Sequence, residues 1–316
     1  MIYAPVVIQT LERYELLSQC VESLERCTGA SLTDVYIALD YPPSQKYVDG
    51  WKKNDEYLRV KENNHKFRSF TVVRRKENYY FSGKGNGGSL LLEVFKGCDR
   101  AIFSEDDNVF SPNFLEFINK GLDKFQNDPT VYSICGYGFF YNLKYKDNNF
   151  IRQNTDYNAW GCGLWREKYM KLYDIDVKYL RKILYNPIKS FRVWQVSNTR
   201  LNNLIYLSQN NNFKRADNFL TLYMINEGIY EIMPAISKVR NIGWDGSGSH
   251  CIGFNHSVEE KHMNQVIDKN SSFEYTGSGW ECFDENHKII VQEDFHQIST
   301  LKVIVKYFIR LIQFWK

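Results

Sequence analysis

Two short apolar runs in the first third of the chain each stop abruptly at acid. Asp34 to Leu39 (DVYIAL) ends at Asp40, and Ala101 to Ser104 ends at Glu105-Asp106-Asp107. Apolar runs of this length, bounded by turn residues such as Pro42-Pro43, read as buried strands. Pro5 to Thr10 and Phe70 to Val73 supply two more. Between them lie helical patterns. Leu16, Leu17, Cys20, Val21 and Leu24 recur at helical spacing within Arg13 to Cys27, a polar helix fits Gln45 to Asn63, and Ser89 to Phe95 suits a third. Ser111-Pro112-Asn113 opens a fourth. Alternation of this kind demands an α/β fold, a mostly parallel sheet with helices on both faces. Ligands of such sheets gather beyond the carboxyl ends of the strands. Asp40 and the acid cluster are therefore expected to face one crevice.

Three successive carboxylates repel one another and need a counter-charge. A hard divalent cation, Mn²⁺ or Mg²⁺, suits an all-oxygen set. The competing reading is a solvated turn in which Asp106 or Asp107 caps the following helix.

Composition narrows the field. With 316 residues, 43% hydrophobic and 24% charged, the chain can bury one large domain or two modest ones. A net charge of +3 is too small to argue for a nucleic-acid partner. The seven cysteines are scattered without a CxxC pair, which argues against a disulfide framework or a zinc site and for a reducing, cytoplasmic setting. No export signal is visible, and no uncharged run reaches the length of a membrane span. The 16% aromatic share serves a packed core more readily than a sugar-binding surface.

Beyond residue 150 the pattern loosens. Small residues surround Trp160 in Asn158 to Gly163, and Asn198 to Asn212 reads as a surface insertion. Asp217 precedes a helical run, Phe219 to Ile225, and Ile229 to Met233 reads as a strand. Asn241 to His250, rich in Gly and Ser, has the composition of a loop that closes over a ligand. Lys84 to Ser89 lacks the spacing of a phosphate loop. It reads instead as a loop admitting the backbone to a ligand, with Ser89 capping the next helix. In the tail, Lys302, Lys306 and Arg310 recur every fourth residue beside Leu301, Val305, Ile309, Ile312 and Phe314. That is the pattern of a helix lying in a membrane interface; a helix packed on its own core or on a second copy would share it. The chain divides into residues 1–297, with halves 1–150 and 151–297, and a tail of 298–316.

Pro5 to Arg13, Ala38-Leu39-Asp40, Glu105-Asp106-Asp107 and Trp160-Gly161-Cys162-Gly163 occur in an order that resembles nucleotide-sugar glycosyltransferases of the GT-A fold, N-acetylglucosaminyltransferase I and its bacterial relatives among them. The resemblance spans roughly residues 1 to 260. It implies a Rossmann-like sheet with flanking helices and a UDP-sugar donor. It makes Asp107 the direct ligand of Mn²⁺ or Mg²⁺, places Asp106 near ribose or metal-bound water, and sets Glu105 behind them or near the sugar. Asp40 would accept the uracil N3–H or cap its own turn. Arg13, with Thr10 and Asn86 nearby, would sit on the donor side. Asp217 is the candidate general base, with a helix cap as its rival role and Asp245 in reserve. His250 is a candidate third metal ligand. Trp160 and Gly161 would meet the acceptor sugar, or Trp160 would pack in the core.

The expected activity is metal-dependent, inverting transfer from a UDP-sugar to a glycan or lipid-linked glycan at the inner membrane face, in bacterial surface polysaccharide synthesis. A sugar-phosphate nucleotidyltransferase would carry a basic Gly-rich loop where Thr10-Leu11-Glu12-Arg13 stands. A non-catalytic, membrane-docked sugar-binding scaffold is the third reading.

Overall fold

The computed structural model describes residues 2–80, 82–138, 148–213, 216–246, 256–280 and 298–314. Strand β1 (Val6–Thr10) sets the plan. Its side chains alternate: Val6 and Ile8 enter one core and Val7 another. Helix α1 (Tyr14–Glu25) covers the first face with Leu17, Cys20, Val21 and Leu24. Strand β2 (Asp34–Leu39), helix α2 (Val48–Asn63), strand β3 (Ser69–Arg74), helix α3 (Asn86–Val94) and strand β4 (Arg100–Glu105) follow in strict alternation. Leu90 and Leu91 of α3 close the second face.

The strand pair β5 (Asn108–Phe110) and β10 (Val239–Asn241) forms a small antiparallel ribbon. Helix α4 (Phe114–Lys124) returns to the first face. Strands β6 (Val131–Cys135), β7 (Phe150–Gln153), β8 (Cys162–Trp165) and β9 (Tyr230–Pro234) complete an eight-stranded sheet of order β3-β2-β1-β4-β8-β6-β9-β7. Of its seven pairings, four are parallel (β1–β2, β1–β4, β2–β3, β6–β9) and three antiparallel. The first four strands are wholly parallel, and β8 enters between β4 and β6 running the other way. The expected α/β sheet is thus present, with an antiparallel insertion that the sequence pattern did not signal.

Helices α5 (Arg166–Met170), α6 (Val177–Leu184), α7 (Pro187–Val196), α8 (Asn198–Leu207) and α9 (Asp217–Glu227) thicken the second face. Helix α10 (His256–Met263) lies near β10, and α11 (Thr300–Phe314) packs against α8. Asn198 to Asn212 is therefore no surface insertion. Leu201, Leu204 and Ile205 recur at helical spacing and are buried, and the asparagines occupy the remaining faces of α8.

Candidate active site at the carboxyl edge of the sheet

The carboxyl ends of β1, β2 and β4 are adjacent because β1 lies between the other two. Glu105 ends β4, and the turn after it carries Asp106 and Asp107, both almost fully buried. Arg13, just before α1, is the counter-charge of this cluster. Its Nη2 pairs with Asp106 Oδ1, and with Asp107 Oδ2 at 2.8 Å. Burial opposes the guanidinium charge, but the two aspartates outweigh it and hold Arg13 more firmly protonated. Thr10 Oγ1 donates to Asp106 Oδ2 at 2.7 Å and accepts from Asn54 Nδ2 at 3.0 Å. Thr10 thus orients an acid. Neither acid caps α4, since Phe110 to Asn113 intervene.

One guanidinium does not balance this site. Burial first, then the charges of Asp107, Asp217 and Asp106, push Glu105 up to about 8. Asp106 is also raised, by burial and against the pull of Arg13. The charge of Asp217 thus reaches Glu105, although the two stand 112 positions apart in sequence. Asp217 is exposed at the start of α9, with neighbouring protein close enough to desolvate it in part. This desolvation and the charge of Asp156 push its carboxyl up to about 6, while Arg200 works the other way. Arg200 is 1% exposed, pairs with Asp156 and donates to Asn218 Oδ1 at 3.3 Å. The cap of α9 is Ala216, so Asp217 stands one position inside the helix.

A second layer fixes Asp107. Asn241 Nδ2 donates to Asp107 Oδ1 at 2.7 Å, the backbone N–H of Ile242 donates to the Asp107 carbonyl at 2.8 Å, and Asn241 Oδ1 accepts from Gly243 at 3.1 Å. A Cβ at Gly243 would lie 2.2 Å from Asp107 Oδ2. Glycine is therefore required where this loop crosses the acid. Asp245 follows in an exposed turn. Trp244 stacks on His262 at 4.5 Å, and Trp160 meets His262 and Tyr137 edge-on at 5.8 and 4.7 Å. Trp160 is half-buried, with its ring part of an aromatic wall next to the loop.

Several sequence-based assignments change. Asn86 is engaged within the fold: its Nδ2 donates to the Ala38 carbonyl at 2.7 Å and its Oδ1 accepts from Arg75 at 3.2 Å, which stitches α3 to β2. Ser89 lies inside α3, where its hydroxyl donates to the Gly85 carbonyl, and does not cap it. Gly161 provides a left-handed turn (φ +69°) packed on Phe114 and Val239, with no room for a side chain. Asp40, 3% exposed, accepts the backbone N–H groups of Tyr41, Tyr79 and Tyr80 at 2.9, 2.8 and 3.1 Å. It anchors a loop in the role of a turn cap. His250 lies outside the described residues.

Sequence reasoning missed Gln9, Asn241, Asp156, Arg200 and Glu231. Gln9 Nε2 donates to Glu105 Oε1 at 3.2 Å while its Oε1 accepts from Gly87. A lone amide at the end of an apolar strand was its signal. Glu231, fully buried and pushed up to about 8 by burial, accepts the Asn158 N–H at 3.1 Å and holds the segment that leads to Trp160.

The donor chemistry fits one hard cation. Among the described residues no three His, Cys, Asp or Glu side chains converge on a common point. Asp107, with Asp106 beside it, suits an ion that fills its other positions with phosphate oxygens and water, the usual habit of Mg²⁺.

No family model and no curated protein matches the chain. Among solved structures it is similar to S. aureus TarS 1-349 in complex with UDP (13% identity, 55% of this chain and 49% of that one, TM-score 0.37). It is also similar to the mannosyltransferase PcManGT from Pyrobaculum calidifontis in complex with GDP-Man and Mn²⁺ (13%, 71% and 69%, 0.37), and to the galactosyltransferase LgtC in complex with donor and acceptor sugar analogues (9%, 72% and 72%, 0.36). The chain spans about half or less of the TarS chains it matches. At these scores the likeness is partial.

Proposed function

We propose that the protein is a metal-dependent glycosyltransferase that uses a nucleoside diphosphate sugar, with UDP the first nucleotide to test. The observation that carries this reading is the acid cluster Glu105, Asp106 and Asp107 at the end of β4, held by Arg13, with the charge of Asp217 acting on Glu105. Such an excess of carboxylate suits a site that receives a cation together with an anionic ligand. Asp107 would hold a Mn²⁺ or Mg²⁺ ion, with Asp106 oriented behind it by Thr10. The ion would supply neutralisation of the diphosphate as its charge grows.

The chain's own residues account for the rest. Arg13, 23% exposed at its side chain, is free to turn from the acids toward phosphate once a cation takes its place. Asp217 accepts the proton of the acceptor hydroxyl as that oxygen bonds to the anomeric carbon. The bond from that carbon to the diphosphate breaks, and the nucleoside diphosphate leaves. Attack opposite the leaving group makes the reaction inverting. The aromatic wall of Trp160 and Trp244 offers stacking faces for an acceptor sugar, and Asp245 remains the reserve base. Asp40 holds the nearby loop, and any base contact has to use a lone pair left over from its three backbone bonds.

The test is release of UDP from UDP-sugars by the full chain with Mn²⁺, with and without glycan acceptors. Acceptor-stimulated release that Asp217→Asn abolishes supports the assignment. Release that Asp217→Asn leaves intact would remove Asp217 from the mechanism. Formation of a nucleotide sugar from a sugar phosphate would make the protein a nucleotidyltransferase.

A further inference from the structure

Helix α11 turns two unlike faces to its surroundings. Val303 is fully buried and Tyr307, one turn on, is half-buried, and both pack with the second core. At about 100° per residue, the arc on the far side holds Leu301, Val305, Phe308, Ile309 and Ile312, which are 48 to 72% exposed. Lys302, Lys306 and Arg310 form a stripe along one edge of that arc. The helix is pinned at its start, where Asn198 Nδ2 donates to the Ile298 carbonyl at 3.1 Å and to Thr300 Oγ1 at 2.9 Å. Packing on the core thus uses one face and leaves the apolar arc in water.

Five adjacent apolar side chains held outward on a fixed helix mark an interaction surface rather than scattered exposure. Among the described residues no helix is long and apolar enough to cross a membrane. Beside the stripe runs a groove of about 380 Å³ between α8 and α11, with Asn202, Gln209, Lys306 and Arg310 as its polar lining and Ile205, Tyr206 and Ile309 as its apolar and aromatic lining. Its cations and amides suit a phosphate, and Tyr206, 68% exposed, suits the boundary between headgroup and acyl chain.

We propose that α11 seats the protein on an anionic bilayer. The arc enters below the headgroups, the cationic stripe lies against them, and the groove takes a lipid phosphate. A second copy on this arc would bring two stripes of three cations together, a repulsive arrangement. Docking has a geometric consequence that rests on the proposed transferase activity. On α8, Asn202 and Tyr206 face the groove, with Gln209 just beyond the helix, while Arg200 projects from the far side and, with Asn203, donates to Asn218 Oδ1, next to Asp217. The bilayer then lies about one helix diameter, ~10 Å, from the candidate base. A sugar acceptor carried on a lipid phosphate is the substrate class this arrangement serves.

The experiment is co-sedimentation of the full chain with phosphatidylcholine vesicles, with and without phosphatidylglycerol. Binding is expected with phosphatidylglycerol and should fall as salt is raised. Lys302→Gln with Lys306→Gln and Arg310→Gln should weaken it roughly a hundredfold, and Phe308→Ser with Ile312→Ser should also release the protein. The substituted side chains lie at the surface or its edge, and an unchanged melting temperature confirms a retained fold. Absence of sedimentation, or equal sedimentation of the triple variant, overturns the proposal. A dimer in solution that Phe308→Ser dissociates also overturns it and assigns the arc to a second copy. None of these readings depends on turnover, so failure here leaves the transferase assignment to its own test.

Discussion

Asp40 and Asp107 both follow parallel strands at the same edge of the sheet, and both are buried, yet their partners differ in kind. Asp40 receives three backbone N–H groups that belong to fixed turns. Asp107 receives the amide of Asn241 and a guanidinium on a partly exposed side chain, with two further acids beside it. Backbone donors satisfy a carboxylate permanently, because they move only if the chain unfolds locally. A guanidinium can leave. Position at a strand end therefore marks a place where ligands gather, but only the end with excess charge and a displaceable partner is poised for chemistry.

The largest expected effect breaks the second acid. Asp107→Ala should lower turnover by about a thousandfold or more, the loss of several kcal/mol of electrophilic assistance, and remove Mn²⁺-dependent nucleotide binding with the fold intact. Activity close to wild type would make Asp107 another anchor like Asp40. Asp217→Asn should lower turnover by roughly a hundredfold or more and spare donor binding. Because the base must be ionised and its carboxyl is pushed up to about 6, the wild-type rate should rise with pH through that region and flatten above it. The variant should lack that limb.

Asp40→Asn should act on stability, with a loss of about 1–3 kcal/mol as an amide NH₂ meets backbone donors. If the melting temperature holds and nucleotide preference changes instead, Asp40 reads the base and the contrast with Asp107 collapses. Arg13→Gln should cost roughly 1–2 kcal/mol in metal-free buffer, as for a partly buried pair. That deficit should narrow when Mn²⁺ is added. A deficit indifferent to Mn²⁺ would show that Arg13 and the cation do not share the acids. Thr10→Val, which removes one hydroxyl between Asp106 and Asn54, should cost about 1 kcal/mol.

How far these contrasts were readable from sequence depends on range. The first four strands and the helices between them were legible because apolar runs and helical spacing are local signals, and each acid was visible at a strand end; the short β5 was not. The antiparallel entry of β8 was not, since pairing partners are chosen by the whole sheet. Asn198 to Asn212 misled because asparagine suggests a loop, while the three buried apolar residues of α8 carry the helix. The partners of each acid were beyond reach: Tyr79 and Tyr80 lie some 40 residues from Asp40, and Asn241 lies 134 from Asp107. Asn86 and Gly161 were assigned to ligands because both stand in glycine-rich segments. Their local jobs, a stitch between α3 and β2 and a tight turn, use the same residue types.

The most direct measurement is the melting temperature of the full chain with UDP, GDP or CMP, each with and without Mn²⁺, alongside Asp107→Ala. The account predicts stabilisation by a nucleoside diphosphate only when Mn²⁺ is present, and none for the variant. Nucleotide binding that ignores Mn²⁺ and survives Asp107→Ala, or no binding by any of the three, would contradict it.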